Sequence, residues 1–144
     1  MFKWLIIIHV IGATIWVGGH LLLALRYLPE ALHDKNLELI KAFEKKFEII
    51  GFPALIIQVI TGVWMAITFY QVNFIDYSSA IAQAVGTKLI LLLATILLAI
   101  NVRFFVFPKL TPKNLWWLGL HIIAVTLIGI CMLYLGVSIR FGGV

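Results

Sequence analysis

Four long apolar stretches, each closed off by charged residues, divide the chain: residues 2–25, 49–70, 84–102 and 115–139. A helix needs about 20 apolar residues to cross the hydrocarbon core of a bilayer. The pattern therefore predicts an all-α fold, a four-helix transmembrane bundle, with residues 1–144 forming one domain. Between the first two stretches the pattern changes. Leu37, Ile40, Phe43 and Phe47 recur at spacings of three and four, with Lys and Glu between them. This predicts an amphipathic helix that runs on into the second membrane segment. Pro53 is expected to kink that helix near the membrane entry. Pro29 is expected to break the chain after segment one, and Pro108 and Pro112 to break it between three and four.

Composition excludes a soluble domain. With 63% hydrophobic and 12% charged residues, its surface would have to be largely hydrocarbon. Segment one resembles a signal peptide in its early lysine and apolar run. It is read as a retained helix, because the run is long, carries Trp16 and His20, and meets no small-x-small site before Arg26. Cys131 is the single cysteine, so no intrachain disulfide forms.

The net charge of +5 reflects topology and not nucleic-acid binding. Arg26, Lys35, Lys41, Lys45 and Lys46 follow segment one, and Arg103, Lys109 and Lys113 follow segment three. Residues 71–83 carry no Lys or Arg, and the ends carry only Lys3 and Arg140. The positive-inside rule puts the two basic loops in the cytoplasm and both termini outside. The expected location is the inner (cytoplasmic) membrane, multi-pass, with the lipid bilayer as partner; a homo-oligomer is compatible with this. Phe74 and Tyr77 in the outer loop suit the interface, and Trp116 and Trp117 read as an aromatic belt.

Candidate chemistry centres on histidine. His9 and His20 lie on segment one and His121 on segment four. Ionisable groups at membrane depth usually mark sites. His9 and His20 are eleven residues apart, which at ~100° per residue puts both rings on one helix face about 16 Å apart. Trp16 shares that face. Segment midpoints fall near Thr14, Thr95 and Leu127, so His20 and His121 each lie six residues to the cytoplasmic side. Two imidazoles at one level on facing helices suit the axial pair of a haem b. The alternative is that each hydrogen-bonds a neighbouring helix.

His9 lies at the outer level, where Lys88 on segment three also falls. Lys88 either snorkels to the interface or pairs with an anionic group, such as a haem propionate or substrate carboxylate. Met65, Cys131 and Met132 fall near the same level, and with His9 they form a soft donor set suited to Cu(I). Methionine at helical spacing is more often packing. Gln58 and Thr61 are placed to hydrogen-bond a cofactor edge or a neighbouring helix. His33, beside Asp34, reads as solvated. Gly12, Gly18 and Gly19 allow close helix approach, and a planar macrocycle needs the same clearance.

A family resemblance rests on short motifs. Segment one reads His9-Val10-Ile11-Gly12-Ala13-Thr14-Ile15-Trp16-Val17-Gly18-Gly19. It resembles the H-x6-W-x-G-G start of the copper resistance protein D family and of the small four-helix membrane protoporphyrinogen oxidases that work without oxygen. Phe43-Glu44-Lys45-Lys46-Phe47, Ile50-Gly51-Phe52-Pro53, Thr61-Gly62-Val63-Trp64 and Gly86-Thr87-Lys88-Leu89 look like further motifs of the oxidases. The likeness covers three of the four segments. It implies bound haem b, with His9 and Lys88 at the positions of the oxidases' essential histidine and lysine. The chain departs from that pattern at His20, at His121, in the later part of segment three and in its Ser138-Ile139-Arg140 tail.

Together these readings predict a b-type haem membrane protein doing redox chemistry or transmembrane electron transfer, with one or two haems and a quinone or a porphyrin as partner. Whether it is an enzyme, a haem-dependent oxidoreductase, stays open at this point. His20 and His121 are the expected inner ligands, His9 the outer ligand with Lys88 as charge partner, and Trp16 a ring-packing residue. The alternative is a copper transport or tolerance protein binding Cu(I) through His9, Met65, Cys131 and Met132. A third reading is a structural subunit without cofactor.

Overall fold

In the computed structural model, residues 1–73 and 78–142 are described. They form helices and connecting turns, with no strand among them. Helix α1 spans Phe2–Leu22 and passes through a π-helical turn, Leu23–Tyr27, into α2, Leu28–Asp34. Lys35, in the left-handed conformation at φ 52°, ends it. Asn36 caps α3, Leu37–Thr68, by accepting a hydrogen bond from the Leu39 N–H. Ser79 caps α4, Ala80–Asn101, in the same way through Ala82. A π-helical turn, Val102–Val106, and a 3-10 turn, Phe107–Lys109, close that arm. Helix α5 is Leu115–Arg140.

Among the described residues four helices are long and apolar enough to cross a bilayer, and large apolar side chains such as Ile90, Leu97, Leu127 and Val137 face outward on them. The chain is thus a multi-pass membrane bundle. The amphipathic segment continues into the second span as expected. Pro53 lies inside α3 without ending it. The expectation for Pro29 is corrected: the helical arm runs on through it to Asp34. The reason is local. Proline lacks an N–H and crowds the carbonyl four residues back. Here the preceding turn is widened, with the Leu28 N–H bonding the Leu23 carbonyl. Pro108 is handled alike, after a π turn closed by Phe107 N–H on the Val102 carbonyl.

Packing is uneven. The closest seam is α1 on α3, where Gly12 lies so near that a Cβ would stand 2.9 Å from the Ala54 carbonyl oxygen. Gly19 and Gly51 form a socket for the Phe47 ring, whereas Gly18 has no neighbour within 4 Å of a Cβ. Helix α5 meets α1 through Gly129 on Val17 and through Thr126, whose hydroxyl bonds the Ile122 carbonyl and reaches the His20 carbonyl at 3.3 Å. Helix α4 packs on α5, and α3 and α4 make no substantial contact. Only 6% of the apolar window of α4 is buried, against 22–33% in the other three. In cross-section the order is α3, α1, α5, α4, a horseshoe open between its ends. The tightest core, Leu23, Leu28, Ala31, Ile40, Leu115, Leu118 and Ile122, sits where α2, the start of α3 and the start of α5 meet.

The basic loops set a testable orientation. A reporter at the C-terminus is expected to be active outside and one inserted between residues 35 and 46 inside. The opposite labelling would invert the bundle. Trp116 and Trp117 are stacked, centroids 4.3 Å apart, and half exposed at the start of α5, as an aromatic belt requires. Phe74 and Tyr77 lie outside the described residues.

Candidate functional site: two cavities at two levels

Two cavities lie along the bundle between α3 and α4, and they separate the histidines as their depths require. The inner cavity encloses about 430 Å³. Its walls come from all four long helices and include Trp16, His20, Phe47, Arg103 and His121. The sequence spacing expected His20 and His121 at one level, and the fold brings them to one space.

Hydrogen bonding fixes how each ring is presented. The Trp16 carbonyl lies 2.8 Å from His20 Nδ1, and the Trp117 carbonyl 2.8 Å from His121 Nδ1. A carbonyl only accepts, so both Nδ1 atoms carry the proton and both Nε2 atoms keep a lone pair. In each case the carbonyl belongs to the residue four positions earlier on the same helix. His121 Nε2 sits 3.1 Å from Asn101 Oδ1. An amide oxygen only accepts, so a ring protonated on Nδ1 alone pairs with Asn101 when the amide is turned to present its NH2.

The cavity has aromatic walls. The Trp16 and His20 rings are 4.5 Å apart, and Phe47 meets the His20 ring edge-on at 5.7 Å. Its mouth is polar. Arg103 Nη1 donates to Glu48 Oε1 at 3.3 Å, and half-buried Glu44 lines the same opening. The π turns at Leu23–Tyr27 and Val102–Val106 begin just beyond His20 and Asn101. Such turns recur beside functional sites. Asn101, Phe47, Glu44 and the two turns were not singled out for the site from sequence. The signal for the turns was present, since each ends two residues before a proline.

The outer cavity is smaller, about 100 Å³, and is lined by His9, Gln58, Tyr70, Lys88 and Met132 among others. His9 Nδ1 is 3.0 Å from Thr61 Oγ1. The Thr61 hydroxyl spends its proton on the Ile57 carbonyl at 2.7 Å. His9 Nδ1–H is therefore the donor, and Nε2 again keeps its lone pair. Gly62 leaves room for that ring, since a Cβ would stand 3.0 Å from His9 Cε1. Lys88 Nζ rests against Gly136 of α5 and has no acidic partner among the described residues. The side-chain carbonyl of Gln58 is buried with no hydrogen-bond partner.

The sulfur residues do not gather here. Met132 lines the outer cavity with His9, but Met65 is buried elsewhere and Cys131 is exposed, and neither lines these cavities. Among the described residues no three His, Cys, Asp or Glu side chains converge to hold a metal ion. His33 is exposed and bonded to Asp34 at 2.7 Å.

Compared with family models, curated proteins and solved structures, the chain finds no match in any of the three.

Proposed function

We propose that this protein is a b-type haem membrane protein of redox function, in which His20 and His121 would hold one haem at the inner level. The observation that carries the reading is a shared space: two imidazoles from helices α1 and α5, each held by its own backbone carbonyl through Nδ1, line one cavity of about 430 Å³. That volume falls within the about 300–1,000 Å³ of cofactor-sized sites. The donor set also fits. Haem iron takes neutral imidazole nitrogen, and a backbone bond at Nδ1 sets which nitrogen is offered.

The chain's residues have distinct tasks. Trp16 and Phe47 give the cavity aromatic walls and keep water from the ring nitrogens. Asn101 stands beside His121 Nε2, the nitrogen by which this ring would hold the group. Arg103, paired with Glu48 at the mouth, supplies a cation for the acidic edge of a macrocycle. Bound there, haem supplies a one-electron couple at membrane depth. The resemblance to the four-helix protoporphyrinogen oxidases and the copper resistance D proteins supports a place beside that superfamily. The space of about 100 Å³ at His9 is below cofactor size, so the reading carries one macrocycle. Copper has less support, because only His9 and Met132 of its donor set share a cavity.

The test is an absorption spectrum with haem and metal analysis on the same sample. Protein expressed with ample haem supply is expected to be red, low-spin and about stoichiometric in haem. Colourless, haem-free protein would remove the proposal, and stoichiometric copper without haem would replace it.

A further inference from the structure

We propose that the inner cavity is loaded sideways, through an opening between α3 and α4, by a flat apolar ligand with an acidic edge that arrives dissolved in the bilayer. The identity of that ligand rests on the haem reading; the opening itself is argued from the fold.

Other routes are closed. The floor of the cavity includes Leu23, Leu118 and Ile122, which belong to the tightest core of the molecule. Toward the outer level, Trp16, Leu55 and Thr95 lead only into a space of about 10 Å³, room for one water at most. On one side α1 lies on α3 at Gly12, and on another α1 meets α5 at Gly129. Helix α4 packs on α5, with Asn101 against His121 across that seam. What remains is the side where Phe52 and Leu55 of α3 face Ile96 and Ile100 of α4, two helices without substantial contact.

The opening is specific to this side. The π turn Leu23–Tyr27 and Pro29 after α1 recur, at one constant spacing, as Val102–Val106 and Pro108 after α4. Each arm is followed by a long apolar helix, α3 or α5. The chain is thus two hairpins of one design, and repeated units of this kind can rock against each other in a membrane. Two like hairpins side by side make the same seam twice. At α1 on α5 it is closed: a Cβ on Gly129 would stand 3.3 Å from Val17, and Thr126 Oγ1 lies 3.3 Å from the His20 carbonyl. At α4 on α3 the facing helices carry Ile50, Phe52 and Ile96, all large and exposed, and the seam stays open.

A single printed link spans the gap at its polar edge. Arg103 Nη1 bonds Glu48 Oε1 at 3.3 Å, and both side chains are about three-fifths exposed. Exposed pairs of this kind hold weakly, so the pair can part and re-form as a ligand passes. The edge also sorts the ligand. The walls beside it are apolar and aromatic, whereas Arg103 offers a forked cation suited to a carboxylate. A plain acyl chain would have no shape to fill the cavity of about 430 Å³, and a small polar anion would not cross the hydrocarbon to reach it.

The experiment ties the opening shut in the full-length protein in lipid nanodiscs. Phe52→Cys and Ile100→Cys, with Cys131→Ser, place one thiol on each side of the gap. Bismaleimides of graded length bridge them, and N-ethylmaleimide caps them as the control. The first readout is the rate at which haem-free protein takes up haem, followed by absorbance. The tether is expected to slow uptake by about tenfold or more relative to the capped protein, as a blocked gate does. The second readout needs no haem. With Trp16 kept as the only tryptophan, lipids brominated on their chains are expected to quench its fluorescence, and the tether to remove most of that quenching. Equal uptake in tethered and capped protein, equal quenching of Trp16 in both, or failure of every length to bridge the two thiols would each overturn the opening. A protein that takes up no haem in any form, while the tether still shields Trp16, would sink the haem reading and leave the opening in place.

Discussion

His20→Ala is expected to abolish the low-spin haem spectrum, His121→Ala to do the same, and the double variant to lose nothing further. A six-coordinate low-spin centre needs both imidazoles, so one missing ligand already destroys the signal. The two effects are therefore non-additive, as for groups that act as a unit. The geometry gives this prediction controls. His20 and His121 are both half-buried at the cavity wall, and alanine there leaves the seams at Gly12 and Gly129 untouched. Helix content should stay constant, and free imidazole should restore part of the signal by occupying the emptied position. Asn101→Leu removes only the amide 3.1 Å from His121 Nε2 and is expected to keep the low-spin spectrum. Unchanged spectra in both single variants would show that the histidines only brace their own helices.

The second large effect is structural. Gly12→Leu is expected to lower the thermal midpoint of the purified protein sharply, whereas Gly18→Leu should leave it nearly unchanged or raise it. In lipid, helices associate by close packing and not by a hydrophobic drive between them. At Gly12 even a Cβ would meet the Ala54 carbonyl oxygen at 2.9 Å and Gln58 Cβ at 3.3 Å. Those are main-chain and stem atoms of α3, which move only if the helices separate. Overpacking of this kind costs about 1–3 kcal/mol. At Gly18 nothing lies within 4 Å, and leucine is the better helix former by roughly 1 kcal/mol. The two variants have the same chemistry on one helix, so their difference isolates the seam. Equal midpoints would mean that α1 and α3 are not in contact at Gly12.

The sequence carried the spans because hydrocarbon imposes a length and a polarity, and both are visible residue by residue. The amphipathic start of α3 was legible for the same reason, through Leu37, Ile40, Phe43 and Phe47. The pairing of His20 with His121 followed from counting residues from each midpoint, since antiparallel helices of fixed rise share a depth scale. What could not be counted was lateral order. Nothing in the apolar faces of α3 and α4 tells that these two stay apart, because lipid-facing and gap-facing positions use the same side chains. Helix α4 begins before its apolar run, because Ser79 caps it and its first turn contains polar Gln83. Proline was misread at Pro29 because the rule that it breaks helices omits the widened turn that accommodates it. Cys131, grouped with His9 by depth, faces outward, since depth fixes level and not azimuth.

The horseshoe also bears on how such a protein is assembled. Helices α1 and α3 form one hairpin and α4 and α5 another, joined across the bundle mainly by the α1–α5 seam. Each hairpin contributes one of the two inner histidines. On the proposed reading, the iron is then a clasp between two halves that emerge from the ribosome at different times. The first half can insert and pack before the second exists, and the cofactor can only be gripped once both are in the membrane. Haem supply would set how much of the newly made protein matures, with unclasped hairpins left to the quality-control proteases of the membrane.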